Sequence, residues 1–296
     1  MLVSVFVCTV VQLNSYSVEG RGVFGAAIHD AKIFLTQCEC NWISIFNAVE
    51  PFNFVDRITV DGMTNPSDLL ALDRCLYIPD DMNPQVRRHH VGRISSSDHC
   101  IWKIPLSNLK PEKMLTSLGK WWPWALSRTS DGSKIIITTT SDKAYFWCPD
   151  TNDPDMVRLP SDVHNPQHII ELSCGSYLLC HDPLSGSCLK KVCRLILIDD
   201  EMRFMESPSA MDHLERPEHL AELPDGRILV ADYYNNRLLV MARDLMSHEV
   251  LLRPKKGGKK RPCRIAYDTC KSLLLVAFHH SAGLYLLNDE FIRALT

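Results

Sequence analysis

The chain has 296 residues, of which 46% are hydrophobic and 23% are charged. This composition excludes a disordered or low-complexity protein, because such chains lack the apolar side chains that a core requires. Lys and Arg number 32 against 35 Asp and Glu, a formal net charge of -3. That balance argues against a surface that binds nucleic acid or anionic membrane throughout, but it permits a local basic patch. The length permits two ordinary domains, or one large all-β or α/β-barrel domain.

The first 13 residues form an apolar, valine-rich run. The run lacks the basic start and the small-residue cleavage site of a signal peptide, and its β-branched content is typical of a buried strand. Nowhere do 18 apolar residues follow one another, so we expect no transmembrane helix and no membrane insertion. With no export signal, the twelve cysteines are interpreted as reduced thiols of an intracellular, cytoplasmic protein. A secreted protein with disulfides is the alternative that their even number permits.

A repeated unit of three short strands follows. Its clearest copy, residues 216–241, has an Asp225-Gly226 turn between the first two strands and an Asn235-Asn236 turn before the third. Both pairs tolerate the positive φ that tight hairpins need. The same pattern recurs from residues 23, 66, 123, 166, 217 and 262. Because the copies start 43 to 57 residues apart, they indicate a repeat architecture.

Each copy is followed by a segment that can supply a fourth strand. These segments are residues 54–59, 113–117, 156–159, 202–205, 248–252 and 291–295. Four-stranded sheets repeated radially make a β-propeller. The sequence therefore predicts one all-β domain over residues 1–296, a six-bladed β-propeller with about four antiparallel strands per blade. The apolar residues 2–11 are predicted to close the ring by pairing into the last blade, and addition to the edge of the first blade is the alternative.

The copy over residues 216–241 resembles an NHL repeat. The residues that carry the resemblance are Asp225-Gly226, Val230-Ala231-Asp232 and Asn235-Asn236-Arg237. The other five copies have the strand rhythm without this motif. The resemblance implies a propeller that acts as a recognition platform for a protein or peptide partner, and some NHL propellers bind single-stranded RNA. The glycine that the family has two residues after the starting Pro is replaced here by His168, His219 and Arg264 in three copies.

Propeller topology places two kinds of loop on one face, which we define as the upper face: loops that enter an inner strand and loops between the second and third strands. Basic loops and a tryptophan pair map to this face. The candidate binding residues are Arg87, Arg88, Arg93, Trp121, Trp122, Lys190, Lys191, Lys255, Lys256, Lys259, Lys260 and Arg261. Such residues attract phosphate or acidic peptide and stack on bases. The alternatives are solvated mobile loops and tryptophans that wedge between blades.

A second set of candidates lies at the mouth of the central channel. Alignment of the copies on their first residue places there Gly25, Asp68, Ala125, His168, His219 and Arg264, and His181 ends a neighbouring strand. Two or three His with a carboxylate can hold Zn²⁺ or act as acid and base. The alternative is a set of buried polar groups that hydrogen-bond one another and water. Because Arg264 carries a fixed positive charge, we expect an anion or ordered water in preference to a catalytic metal, and no cofactor.

No nucleophile elbow, P-loop, zinc-protease or kinase motif is present in the sequence. The sequence therefore predicts a non-enzymatic scaffold that binds a protein or peptide partner on the upper face. Single-stranded RNA binding through the basic upper face is one alternative. A small-molecule or metal-dependent hydrolase or lyase at the central channel is the other. The pattern carries no information on oligomeric state.

Overall fold

A computed structural model describes most of the chain. The described residues are 22–49, 52–81, 99–115, 122–182, 191–205, 213–253, 261–268, 273–279 and 281–288. Within these ranges the regular elements are all β-strands. A search of the same ranges finds no helix with the length and apolar character needed to cross a membrane.

The described strands form six antiparallel sheet units, each built from strands that are consecutive in the chain. The first two units contain β1 (Val23–His29), β2 (Lys32–Gln37), β3 (Trp42–Asn47), β4 (Phe54–Thr59), then β5 (Leu70–Leu72), β6 (Cys75–Asp81), β7 (His99–Pro105) and β8 (Glu112–Met114). The third and fourth contain β9 (Pro123–Arg128), β10 (Ile135–Thr139), β11 (Lys143–Cys148), β12 (Asp153–Arg158), then β13 (Pro166–Glu171), β14 (Tyr177–His181), β15 (Val192–Ile198) and β16 (Glu201–Phe204). The fifth and sixth contain β17 (Pro217–Glu222), β18 (Ile228–Asp232), β19 (Arg237–Met241), β20 (His248–Leu252), then β21 (Pro262–Asp268), β22 (Leu273–Phe278) and β23 (Ser281–Asn288).

The predicted copies coincide with these units. Five of the six predicted starting residues are the first residues of the innermost strands β1, β9, β13, β17 and β21. In the second unit the predicted start, Pro66, pairs with Asp80 in an isolated bridge before β5 begins. Tight turns and short hydrophobic runs are local signals, which is why the sequence located these strands well.

Hydrophobic clusters of described residues fill the spaces between neighbouring units all the way around the ring. The cluster that joins the last unit to the first packs Ile33 and Leu35 of β2 with Leu275 and Ala277 of β22. Each sheet is thus buried on both faces, which accounts for continuous apolar runs such as residues 135–137 in β10. The units close into a ring, and the predicted all-β propeller fold is confirmed.

The outer edges of two units are paired with each other. A parallel bridge between Arg158 of β12 and Glu201 of β16 joins the third and fourth units into one eight-stranded sheet. The sixth unit has three strands within the described residues. The predicted closing strand, residues 2–11, and the predicted last strand, residues 291–295, lie outside the described residues. Completion of the sixth sheet by residues 2–11 therefore stays a prediction.

A β-bulge follows the first residue of the inner strand in five units. The register shifts between Val23 and Gly25, between Pro166 and His168, between Pro217 and His219, and between Pro262 and Arg264, with an equivalent shift where Pro123 pairs with Thr139. A bulge bends the strand and re-aims the side chains beside it. Simple alternation, which assigns successive residues to opposite faces, therefore fails at these positions, and both Glu218 and His219 are buried.

Nine cysteines lie in the described ranges, and none of these nine is in a disulfide. Cys180 and Cys263 are completely or almost completely buried, and burial raises the pKa of both thiols. These two therefore behave as small apolar core residues.

Candidate functional site

The inner strands bring four of the predicted channel residues together. Asp68 lies two residues before β5, whereas His168, His219 and Arg264 follow the bulges of β13, β17 and β21. All four are buried, with 1 to 8% of their surface exposed. We call these four residues the channel cluster.

Arg264 and Asp68 form a buried ion pair at one side of the cluster. Nε of Arg264 lies 2.9 Å from Oδ1 of Asp68, and each side chain is only 2% exposed. The guanidinium also donates to the carbonyls of Cys263 and Ser67. Burial alone would lower the pKa of Arg264, but Asp68, Cys263 and Glu218 together outweigh this and raise it. The other carboxylate oxygen accepts the N–H of Leu126 at 2.8 Å, so the pair connects the sixth, second and third units.

Gly25 gives this ion pair its space. Asp68 and Arg264 come from the units on either side of the first, and Gly25 is the matching residue of that first unit. A Cβ atom at position 25 would lie 2.5 Å from the carbonyl carbon of Asp68. The missing side chain therefore permits a backbone approach that no other residue type allows.

The hydrogen bonds of His168 fix its protonation state. Its Nδ1 accepts the N–H of Leu220 at 3.1 Å, so this nitrogen carries no proton. The proton must then reside on Nε2, which lies 3.3 Å from the carbonyl oxygen of Leu126 and donates to it. Burial lowers the pKa of His168 to about 4, which agrees with a neutral ring. His168 thus links the third, fourth and fifth units through two backbone groups.

His219 stacks on His168 and has a less complete set of partners. The ring centroids are 3.8 Å apart and the ring planes differ by 15°. Burial lowers the pKa of His219 well below its ordinary value, and the neighbouring His168 and Arg264 lower it further. Its Nδ1 atom is buried and has no hydrogen-bond partner among the described residues.

The channel cluster has the composition of a metal site but a different arrangement. Candidate ligand atoms of Asp68, His168 and His219 lie within 4.8 Å of one another. A cation bound there would compete with the Arg264 guanidinium for Asp68, and its ligation by His168 would remove at least one of the two backbone hydrogen bonds of that ring. What the arrangement does is to tie neighbouring units together through their inner strands. Thr138 makes a similar contact between units, since its hydroxyl oxygen accepts the N–H of Ile169 from the next unit at 3.1 Å.

His181 lies apart from these ligand atoms. It ends β14, is fully buried, and places Nε2 3.5 Å from the sulfur of Cys193. The structure therefore joins four of the five predicted channel residues into one cluster, without His181.

The upper face carries a group of arginines and aromatic rings that the sequence analysis did not assemble. We define the Arg–Tyr cluster as Arg216, Arg261, Tyr233, Tyr234 and His279. The Arg261 guanidinium carbon lies 5.1 and 4.8 Å from the ring centroids of Tyr233 and Tyr234, and that of Arg216 lies 5.5 and 5.4 Å from the same two centroids. Nη1 of Arg216 donates to the Tyr234 hydroxyl at 3.0 Å, and the Tyr233 hydroxyl lies 3.0 Å from Nδ1 of His279. Tyr234 is 40% exposed.

Glu218 lies beneath the Arg–Tyr cluster. One of its carboxylate oxygens is 3.3 Å from Nε of Arg216, while the side chain is only 7% exposed. Burial raises the pKa of Glu218 to about 7, although Arg216, Arg264 and Arg261 all favour its charged form. Arg261 makes no ion pair among the described residues, and its guanidinium lies against the two tyrosine rings.

The predicted upper-face residues fall into two groups. Outside the described residues are Arg87, Arg88, Arg93, Trp121, Lys190, Lys255, Lys256, Lys259 and Lys260. Trp122 is described and half-buried, and it stacks on the ring of His99 at a centroid distance of 5.4 Å. This contact joins the second and third units, as expected for a tryptophan wedged between blades. Lys191 is half-buried, and its carbonyl accepts the N–H of His181 at 2.9 Å.

The polar residues of the NHL-like motif stabilise the fifth unit. Asp232 accepts the N–H of Glu215 at 2.7 Å, the side-chain amide of Asn235 at 2.9 Å and Nε of Arg237 at 2.6 Å. Asp232 is fully buried and Arg237 also donates to the carbonyl of His213. These contacts fix the loop that enters β17, so the motif residues support the backbone of the upper face.

Comparison with known proteins identifies the fold. No family profile and no curated protein matches the chain. Among solved structures, it is similar to a catalytically inactive virginiamycin B lyase of Staphylococcus aureus with quinupristin (TM-score 0.61, 14% identity, 93% of this chain and 97% of that chain). It is also similar to a Bacteroides thetaiotaomicron protein of unknown function (TM-score 0.65, 11% identity, 90% and 69%) and to the Swd1 β-propeller domain of Myceliophteria thermophila (TM-score 0.56, 9% identity, 89% and 82%). Because the sequence identities are this low, the structural similarity shows the propeller fold alone.

Proposed function

We propose that this propeller is a non-enzymatic interaction module that binds a protein or peptide partner on its upper face. The Arg–Tyr cluster is the observation that carries the proposal. Arg and Tyr are enriched among the residues that dominate binding energy at protein interfaces. Here both guanidinium groups are held against tyrosine rings, so less side-chain freedom is lost when a partner binds.

The charge and shape of the cluster indicate the chemistry of the partner. Arg216 is compensated in part by Glu218, whereas Arg261 makes no ion pair among the described residues. Tyr234 is partly exposed beside both cations. A segment with a carboxylate next to an aromatic or aliphatic side chain would complement this surface. The resemblance of the motif around Asp232 to an NHL repeat supports the same function, because NHL propellers act as recognition platforms.

Two other functions have less support from the described residues. A solved structure similar to this chain is a lyase, which keeps an enzyme at the channel as the alternative. Against it, both carboxylate oxygens of Asp68 and both ring nitrogens of His168 already have partners within the protein. Binding of single-stranded RNA is distinguished by salt, because contacts to phosphates weaken steeply as salt rises.

The proposal is tested by selecting peptides from a random display library on the immobilised protein. Selected peptides are then measured against Tyr234→Ala and Arg261→Ala by fluorescence anisotropy. The matched control is Arg128→Ala, which removes an arginine from the opposite end of the channel. We expect acidic peptides with an apolar anchor, and a loss of affinity of at least tenfold in both cluster variants, as for residues that anchor an interface.

Two results would contradict the proposal. The first is a set of peptides whose affinity is unchanged in both cluster variants but reduced in the control. The second is the failure of any peptide to bind while single-stranded RNA binds with a steep salt dependence, which would favour the RNA alternative.

A further inference from the structure

Glu218 differs from the buried carboxylates Asp68 and Asp232 in the groups that stabilise its charge. Asp68 accepts a hydrogen bond on each of its two carboxylate oxygens, and Asp232 accepts hydrogen bonds from three groups. Glu218 is buried as they are, but among the described residues no donor forms a hydrogen bond with its carboxylate. Because hydrogen bonds to a carboxylate favour the charged form, the charge of Glu218 is less well stabilised than that of the other two.

The contact between Glu218 and Arg216 is an ion pair without a hydrogen bond. Nε of Arg216 lies 3.3 Å from the carboxylate, yet it donates to no acceptor among the described residues. The guanidinium is held in place by the Tyr234 hydroxyl, which accepts from Nη1 at 3.0 Å, and by the rings of Tyr233 and Tyr234. Protonation of Glu218 would therefore remove a negative charge from beside Arg216 without removing a hydrogen bond that positions the arginine.

The cations that act on Glu218 keep their charge at every pH near neutrality. They are Arg216 and Arg261, which directly precede the starting residues of the fifth and sixth units, and Arg264 of β21. Arginine stays protonated throughout this range. Burial raises the pKa of Glu218 to about 7 in spite of these three cations, so the charge of the carboxylate changes where theirs does not.

The other titratable groups around Glu218 are neutral over the same range. Burial raises the pKa of Tyr233, which follows β18, and of the two thiols on β14 and β21. On β13, burial lowers the pKa of His168 to about 4. The neutral side chains are therefore Tyr233, Cys180, Cys263 and His168. A change of charge near pH 7 at this end of the channel is accordingly centred on Glu218.

The charge of Glu218 acts on the guanidinium groups that a partner would contact. The charged carboxylate offsets part of the positive charge of Arg216 and repels an acidic group that approaches the Arg–Tyr cluster. The protonated form leaves both Arg216 and Arg261 without a described counter-ion, so the cluster is more positive.

We propose that the Arg–Tyr cluster binds its acidic partner together with a proton that Glu218 takes up, so that the partner binds more tightly below neutral pH than above it. This regulation rests on the peptide-binding function proposed above. Linkage between the two binding events is reciprocal, so the bound partner also raises the affinity of Glu218 for the proton.

The proposal is tested with an acetylated acidic peptide, selected on the immobilised protein at about pH 6 from a library without histidine. The Asp and Glu side chains of such a peptide stay charged between about pH 6 and about pH 8, so the charge of the probe is constant. Fluorescence anisotropy should give an affinity of the wild type about fivefold higher at the lower pH, because one negative charge is removed beside a partly exposed arginine. Glu218→Gln is neutral at both pH values and should bind equally at both, with an affinity close to that of the wild type at the lower pH.

Two control variants assign the pH dependence to Glu218. Glu215→Gln removes an exposed carboxylate from the loop that enters β17 and should keep the pH dependence. His279→Gln removes the imidazole beside the Tyr233 hydroxyl, the other titratable group of the cluster, and should keep it as well. Circular dichroism and the melting temperature establish that each variant is folded.

Calorimetry provides a second test that the wild type alone can answer. Titration with the same peptide at about pH 7, in two buffers that differ in ionisation enthalpy, measures the protons exchanged on binding. We expect a net uptake of protons by the wild type and none by Glu218→Gln. A wild type that releases protons, or that exchanges none, would refute the proposal.

Failure of this regulation is distinguishable from failure of the binding function. If no peptide binds, or if bound peptides keep their affinity in Arg261→Ala, both are refuted. If peptides lose affinity in Arg261→Ala but bind the wild type equally at both pH values, the regulation alone is refuted. Retention of the pH dependence in folded Glu218→Gln, or its loss in folded His279→Gln, would also overturn it.

Discussion

Replacement of Arg264 by Met should be among the most destabilising single substitutions in this protein. Met removes the cation but retains most of the side-chain volume, so it leaves the Asp68 carboxylate buried with the N–H of Leu126 as its remaining described partner. Breaking a buried ion pair by removing one partner costs about 3–5 kcal/mol. The carbonyls of Ser67 and Cys263 also lose a donor. For a chain of this size the melting temperature should fall by roughly 10 °C.

The assay is urea unfolding followed by tryptophan fluorescence, with calorimetry for the melting temperature. Arg227→Met is the matched control, because Arg227 pairs with Asp225 at 2.6 Å while Asp225 is 47% exposed. Exposed pairs contribute less than about 1 kcal/mol, so this control should unfold almost as the wild type does. Adding Asp68→Asn to Arg264→Met should recover about 2 kcal/mol, because it removes the uncompensated charge and keeps an acceptor for Leu126.

The reasoning fails if Arg264→Met is no more destabilising than Arg227→Met. It also fails if Asp68→Asn recovers nothing in the Arg264→Met background, because the loss would then come from packing and not from an uncompensated buried charge.

Four further predictions concern pH, close packing and ring closure. Because the pKa of Glu218 rises from 4.5 to about 7 on folding, its contribution to stability is present below pH 4.5 and is lost as pH rises toward 7. In urea unfolding across this range, the stability of Glu218→Gln relative to the wild type should therefore increase as pH rises. Because the pKa of His168 falls from 6.5 to about 4 on folding, its contribution to stability is present above pH 6.5 and is lost as pH falls toward 4. The unfolding free energy of His168→Phe should therefore fall less steeply with acid than that of the wild type, and an equal slope of unfolding free energy against pH would refute this. Gly25→Ala should cost about 1–3 kcal/mol by urea unfolding, since the new Cβ overlaps the backbone of Asp68; a neutral effect would show that the first two units can separate. Deletion of residues 1–12 should abolish soluble expression, and a deletion protein with unchanged melting temperature would rule out ring closure by this segment.

The sequence located the strands and the ring of channel residues because both depend on local signals. Aspartate-glycine and asparagine-asparagine pairs mark the hairpins, and each sheet is assembled from neighbours in the chain. Alignment of the copies on residues such as Pro166 and Pro217 then placed His168 and His219 at equivalent positions, and the two rings do stack.

Two features of the site depend on information that alignment of the copies does not contain. The first is the bulge after the starting residue, which depends on hydrogen bonds between β17 and β18 and lets Glu218 and His219 both be buried. The second is the Arg–Tyr cluster, in which residues from two units meet across a blade interface. A signal for it was present, since Arg216 and Arg261 each directly precede the starting Pro of a copy. The matching positions of these two arginines indicate a cluster only once both entry loops are known to flank Tyr233.

The contact between Arg264 and Asp68 also has a consequence for synthesis on the ribosome. The two residues are separated by 196 positions, so the carboxylate is made long before its cation. At about 5–20 residues per second, Asp68 waits roughly 10–40 s for Arg264 to be polymerised. During that interval the second and third units cannot bury Asp68 without leaving its charge uncompensated, so a nascent chain that lacks the last unit must keep this part of the channel hydrated. The last unit therefore supplies the cation that allows Asp68 to be buried as well as completing the ring, and ribosome-bound chains that end before residue 264 should remain open to protease.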